Sequence, residues 1–109
     1  MAFAKVKEKD IQMAVCDYLA IKGYFFWRTN TTPIFDPTKK IFRAMPKYAL
    51  RGISDIILVK NGMFIGLEIK RPKGTQSEHQ KEFQRKLINA GGQYYLITSM
   101  DYLIKKHRF

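Results

Sequence analysis

Between Glu8 and about Ile21 the apolar residues Ile11, Val15, Tyr18 and Leu19 recur three and four apart, and Gly23 follows as a stop. This spacing predicts an amphipathic helix. Residues 24–29, Tyr-Phe-Phe-Trp-Arg-Thr, are aromatic-rich and bounded by Gly23 and a polar Asn-Thr-Thr-Pro cluster, which predicts a strand. Farther on, Ile34-Phe35 and Ile41-Phe42 flank the turn signal Asp36-Pro37-Thr38-Lys39, so a short hairpin is expected there. Residues 54–60 and 63–70 form two strongly apolar segments joined by Asn61-Gly62, the strongest short-range hairpin signal. After a loop from Arg71 to Gln76, Ser77 stands three residues before Gln80 as a capping box. The helix it opens runs through Phe83, Leu87 and Ile88 to Gly91-Gly92. Residues 93–98 read as a strand. Ser99 can cap a last helix that carries Met100, Leu103 and Ile104 inward and ends in Lys105-Lys106-His107-Arg108. The order is α-β-(hairpin)-β-β-α-β-α, an α/β chain with a mixed sheet flanked by helices.

Length makes this one domain, residues 1–109, with 46% apolar residues and one core to fill. Charge narrows its partners. Twenty Lys and Arg against nine Asp and Glu leave +11, a self-repulsion that suits a polyanionic partner. Six of the bases (Arg28, Lys39, Lys40, Arg43, Lys47, Arg51) and one acid (Asp36) lie between positions 28 and 51. Phosphate contact is the favoured role of these bases, and Arg71 and Lys73 extend it on the far side of the second hairpin. Phe35, Phe42 and Tyr48 among them suit either stacking on splayed bases or packing against a second subunit. The lone Cys16 excludes a disulfide framework and a cysteine zinc cluster, and fits a reducing cytoplasm. No apolar run is long enough to span a bilayer and the N-terminus lacks a signal-peptide core, so a soluble cytoplasmic protein is expected, with no membrane partner and no organic cofactor.

Candidate chemistry comes from the register of the second hairpin. A two-residue loop at Asn61-Gly62 places Asp55 opposite Glu68, with Lys70 on the same face two residues on. Directly opposed residues of antiparallel strands hold their Cβ atoms ~4.5–5.5 Å apart. Two opposed carboxylates repel and call for a cation. A divalent Mg²⁺ or Mn²⁺, held by carboxylate oxygens, a backbone carbonyl and waters, would supply it. Lys70 would then stabilise charge developing on a phosphate or orient a water. The competing reading is that Lys70 merely neutralises Asp55 and Glu68 at a solvated end of the sheet. The other face of the hairpin, with Ile56, Leu58, Ile65, Leu67 and Ile69, needs a core.

The series Gly52-Ile53-Ser54-Asp55, Gly62, Leu67-Glu68-Ile69-Lys70, Ser77-Glu78-His79-Gln80 and Gly91, with Glu8-Lys9-Asp10-Ile11-Gln12 and Trp27-Arg28-Thr29-Asn30 before it, resembles the VRR-NUC (virus-type replication-repair nuclease) branch of the PD-(D/E)XK nuclease superfamily. The resemblance runs from Glu8 to about Leu103. It implies a restriction-endonuclease-like core and metal ligation by Asp55, Glu68 and the carbonyl of Ile69, with Lys70 as catalytic lysine. It also implies that Glu8 completes the site from the first helix and that Gln80 lines it from the second. Ser54 stands where the superfamily usually has Pro. Residues 31–50 match nothing in the pattern. Small stand-alone domains of this kind are similar to phage and prophage Holliday-junction resolvases, which implies a homodimer acting on branched DNA such as a four-way junction. The alternative function is a basic DNA-binding module without catalysis. A membrane-surface role would need a basic amphipathic helix, which neither long helix provides.

Overall fold

Ile11, Val15 and Leu19 turn one side of a helix, α1 (Glu8–Ile21), into a continuous buried strip. Glu8 and Asp10 sit in its first turn, where carboxylates favour the helix dipole. The computed structural model describes residues 6–29, 35–36, 41–42 and 47–109. After α1 come β1 (Phe25–Arg28), β2 (Phe35–Asp36), β3 (Ile41–Phe42), β4 (Ile56–Lys60), β5 (Met63–Ile69), α2 (Glu78–Asn89), β6 (Gln93–Ile97) and a π-helix (Tyr102–Lys106). The short pair β2–β3 is antiparallel, with Phe35 opposite Phe42, at the place of the expected hairpin. Its turn and the basic residues Lys39, Lys40 and Arg43 lie outside the described residues.

The main sheet has the order β1-β4-β5-β6. Its first three strands are antiparallel and β6 runs parallel to β5, so the sheet is mixed and α2 makes the crossover between its parallel strands. The β4–β5 register is the one that Asn61-Gly62 dictates: Lys60 faces Met63 and Ile56 faces Leu67. Asn61 and Gly62 both adopt positive φ (52° and 78°), as the favoured two-residue hairpin turn requires.

Alternation along the strands sorts the two faces. Ile56, Leu58, Ile65, Leu67, Ile69 and Ile97 pack against Ile11, Val15 and Leu19 of α1 and against Leu103 and Phe109. The opposite face carries Asp55, Ile57, Gly66, Glu68 and Tyr94, and α2 lies over part of it. None of the α2 side chains is fully buried, which leaves this second layer shallow.

The C-terminal element departs from expectation. It winds as a π-helix over Tyr102–Lys106, with His107 N–H donating to the Tyr102 carbonyl at 2.9 Å. The wider turn alters the spacing of inward positions. Leu103 is fully buried and Met100 packs on the core, but Ile104 is 39% exposed rather than inward. Phe109 packs there instead, its ring edge-on to Tyr95 (5.4 Å) and Tyr24 (6.2 Å). Among the described residues no helix is long and apolar enough to cross a membrane.

Candidate active site

The β4–β5 ladder, continued one step beyond Ile56 and Leu67, brings Asp55 opposite Glu68. Thr29 fixes the approach to that step. Its N–H donates to the Asp55 carbonyl (3.0 Å) and its hydroxyl to the Ser54 carbonyl (2.6 Å), fastening β1 to the segment entering β4. The Asp55 carboxylate accepts the Ile69 N–H through Oδ2 at 2.7 Å. Because the N–H and C=O of a strand residue leave the strand on the same side, the Ile69 carbonyl faces Asp55 as well.

Glu68 is only 1% exposed, although a carboxyl is among the groups least often buried. Its Oε1 accepts a hydrogen bond from Gln80 Nε2 at 2.7 Å, and its Oε2 is buried with no partner among the described residues. Burial raises the Glu68 pKa to about 9, helped by the charge of the adjacent Asp55 carboxylate and by that of Glu8, while Lys70 opposes the rise. The N-terminus of α1 therefore lies near enough for Glu8 to act on this carboxyl. Among the described residues Lys70 makes no ion pair with either acid. That disfavours the simple neutralised pair at a solvated sheet end, since Glu68 is neither solvated nor matched by an ammonium in contact.

Gln80 acts in two directions. Its Oε1 accepts the Ser77 N–H (2.8 Å) while the Ser77 hydroxyl accepts the Gln80 N–H (3.2 Å), which is the capping box expected from sequence. With the amide oxygen committed to the cap, the NH₂ must face Glu68. Gly52 makes this placement possible. It has φ +73°, and a Cβ there would lie 2.3 Å from the backbone C and O of His79 and 2.6 Å from the Gln80 nitrogen. The loop before β4 thus seats the first turn of α2 against the acids.

Tyr94 and Gln76 also belong to this neighbourhood, and sequence reasoning missed both. Gln76 Nε2 donates to the Tyr94 hydroxyl (2.9 Å) and to Gln84 Oε1 (3.0 Å). The Tyr94 pKa is raised by burial and then by the charge of Glu68, so the phenol stays protonated beside it. The available signal was weak: Tyr94 alternates with the core-facing Tyr95, but nothing local aligns β6 with β5.

The remaining expected residues are spread more widely. Arg71 and Lys73 are exposed and, with Val6 and Pro72, line a cleft of about 310 Å³ next to Lys70. Lys47 and Arg51 are exposed ahead of β4. Arg28 does not join the acids. It alternates with Trp27 to the α1 face of the sheet, where its charge acts on Cys16.

Whether these residues suit Mg²⁺ or Mn²⁺ turns on the donor set. Two facing carboxyls, one with an unpartnered buried oxygen, and a backbone carbonyl turned to the same side are hard oxygen donors of the kind a partly hydrated divalent ion takes. Among the described residues no group of three His, Cys, Asp or Glu side chains is placed to hold a metal ion, so protein side chains would supply at most the two carboxyls. The set fits an open site completed by water and substrate oxygens. No protein-family model, curated protein or solved structure matches the chain.

Proposed function

We propose that the chain is a Mg²⁺- or Mn²⁺-dependent DNA endonuclease of the VRR-NUC branch of the PD-(D/E)XK superfamily, acting as a homodimer on branched DNA such as a four-way junction. The observation that carries this reading is the buried Glu68 carboxyl facing Asp55, with one oxygen held by Gln80 and the other unpartnered. Burying a second acid beside Asp55 is costly and gives a purely DNA-binding module nothing. A nuclease gains a second carboxyl that keeps its proton in the free protein and would give it up to a bound divalent ion. The mixed sheet, with both acids on its antiparallel hairpin and α2 crossing back to a parallel β6, is compatible with the restriction-endonuclease-like core that the sequence resembles.

Asp55, Glu68 and the Ile69 carbonyl would hold the ion, which supplies polarisation of the scissile phosphate and neutralises its developing charge. Lys70, on the same face, would place an ammonium beside the attacked phosphorus to orient water and stabilise the added charge. Gln80 keeps Glu68 Oε1 occupied, so Oε2 is the oxygen presented. Glu8 adds negative charge from α1. Arg71 and Lys73 grip the backbone beside the cut. Paired sites in a two-fold dimer would meet two strands of a two-fold junction.

Labelled branched and linear DNAs incubated with Mg²⁺ or Mn²⁺ test the reading. Wild type is expected to cut branched DNA, and both Glu68→Ala and Lys70→Ala to lose cleavage while still binding DNA in Ca²⁺. Undiminished cleavage by Glu68→Ala would refute the metal site. Failure of wild type to cut any DNA would leave the binding module as the better description.

A further inference from the structure

Between residues 49–51 and α2 lies a cleft of about 280 Å³ lined by Ala49, Leu50, Arg51, His79, Glu82, Phe83 and Lys86. Its volume is near the lower bound (~300 Å³) for sites that take small organic groups. Apolar and cationic surface meet in it. Leu50 is 45% exposed and Phe83 half-buried, while Arg51, His79 and Lys86 bring basic groups to the same opening. The acid Glu82 is already engaged by Arg85, through Nε at 3.1 Å, and by Lys86 at 3.7 Å, so it does little to repel an anion.

Tyr48 stands just before this wall. It is 88% exposed and held at φ +70°, a left-handed conformation that a bulky side chain rarely adopts. No burial offsets that strain, and its ring is flanked by Lys47 Nζ at 5.2 Å. The cleft is also coupled to the acids by two short routes. Gly52 locks its loop wall to the His79–Gln80 backbone, and Gln80 bonds Glu68. The Phe83 ring lies 6.4 Å from the Tyr94 ring, whose hydroxyl is in the field of Glu68.

We infer that this cleft binds one unpaired nucleotide next to the point of cleavage: its base packs on Leu50 and Phe83 with Tyr48 at the rim, and its phosphate faces Arg51 and Lys86. A paired base cannot enter, because its faces are stacked within the duplex, whereas an unpaired base offers a free π-face. The cleft thereby supplies a preference for DNA that carries unpaired nucleotides, at a gap, at a flap or at a branch point that has lost its pairing, over fully paired DNA. The inference rests on the nucleic-acid partner of the proposed function and not on its metal chemistry.

The full chain, in Ca²⁺, is titrated against a paired duplex and against the same duplex with a short single-stranded gap carrying 2-aminopurine at its first unpaired position. Wild type is expected to bind the gapped DNA about tenfold more tightly, the scale of one stacked base, and to quench the 2-aminopurine emission. Leu50→Asn and Arg51→Ala, both at exposed positions that do not hold the fold, are expected to reduce that preference to about twofold or less and to lose the quenching. Phe83→Leu, which retains apolar volume, should lose the quenching as well. An unchanged preference and quenching in all three variants, or no preference in wild type, overturns the inference. If wild type cuts no DNA in Mg²⁺ or Mn²⁺ yet the variants behave as expected, the cleft stands and the nuclease reading falls.

Discussion

Glu68 is the residue on which the proposed chemistry and the stability both turn. Its carboxyl has an unfolded value near 4.5 and a folded value of about 9. Between these values the unfolded chain releases a proton that the folded chain keeps. Stability without metal should therefore fall as pH rises from about 4.5 towards 9, by roughly 3 kcal/mol at pH 7. Glu68→Gln, nearly isosteric and uncharged, should flatten that profile in chelator and be more stable than wild type at pH 8. Added Mg²⁺ or Mn²⁺ should raise the melting temperature of wild type at pH 8 and leave Glu68→Gln unmoved. Matching pH profiles in the two proteins would show that Glu68 does not titrate this way. Ser54 makes a simpler case. Its hydroxyl is fully buried with no partner among the described residues, so Ser54→Ala should stabilise the fold by about 1 kcal/mol in urea unfolding. The opposition of Asp55 and Glu68 was legible in the sequence, because a two-residue turn fixes register without reference to the rest of the chain. The burial of Glu68 was not, because α2 and β6 create it from residues far along the chain.

At the scale of elements, α2 is the part whose position matters most. Its capping box was readable from Ser77 and Gln80, but the cap and the site share a single amide, which only the packing reveals. Gln80→Ala should cost about 1–2 kcal/mol through the lost cap and Glu68 bonds, and lower cleavage roughly 10–100-fold, as loss of a ligand's supporting hydrogen bond does. Ser77→Ala should cost a similar ~1 kcal/mol with a smaller loss of cleavage, since the Ser77 N–H still holds the Gln80 oxygen. Equal cleavage in the two variants would mean that Gln80 serves the helix alone. Gly52→Ala combines a forbidden φ with a direct clash on the His79 backbone. It should destabilise by more than about 2 kcal/mol and, where folded, depress cleavage by displacing the same turn. The sequence marked Gly52 as part of a motif but could not show what it touches.

Across the whole molecule, the +11 charge is the net of twenty bases and nine acids, of which Asp55 and Glu68 stand together at one end of a hairpin. If about six phosphates are neutralised, the logarithm of DNA affinity should fall with that of salt concentration at a slope near −5, and Arg51→Ala or Lys73→Ala should each reduce that slope by about 1. A flat salt dependence would remove nucleic acid as the partner. Light scattering on the free protein and on its junction complex tests the dimer; a monomer that still cuts junctions would eliminate it. By itself the sequence determined the elements whose signals are local: the α1 stripe, the Asn61-Gly62 register that opposes Asp55 and Glu68, and the capping box of α2. Tertiary structure decided what depends on distant segments meeting. The parallel seating of β6 brings Tyr94 to Glu68, the approach of Gly52 to α2 aims Gln80, the pairing of β1 with β4 puts Arg28 on the face of Ile56 and away from the acids, and the π-turn exposes Ile104. Local periodicity reports which way a side chain leaves its own element, but burial, the shifted pKa of Glu68 and the cleft along α2 arise only where two elements close on one another.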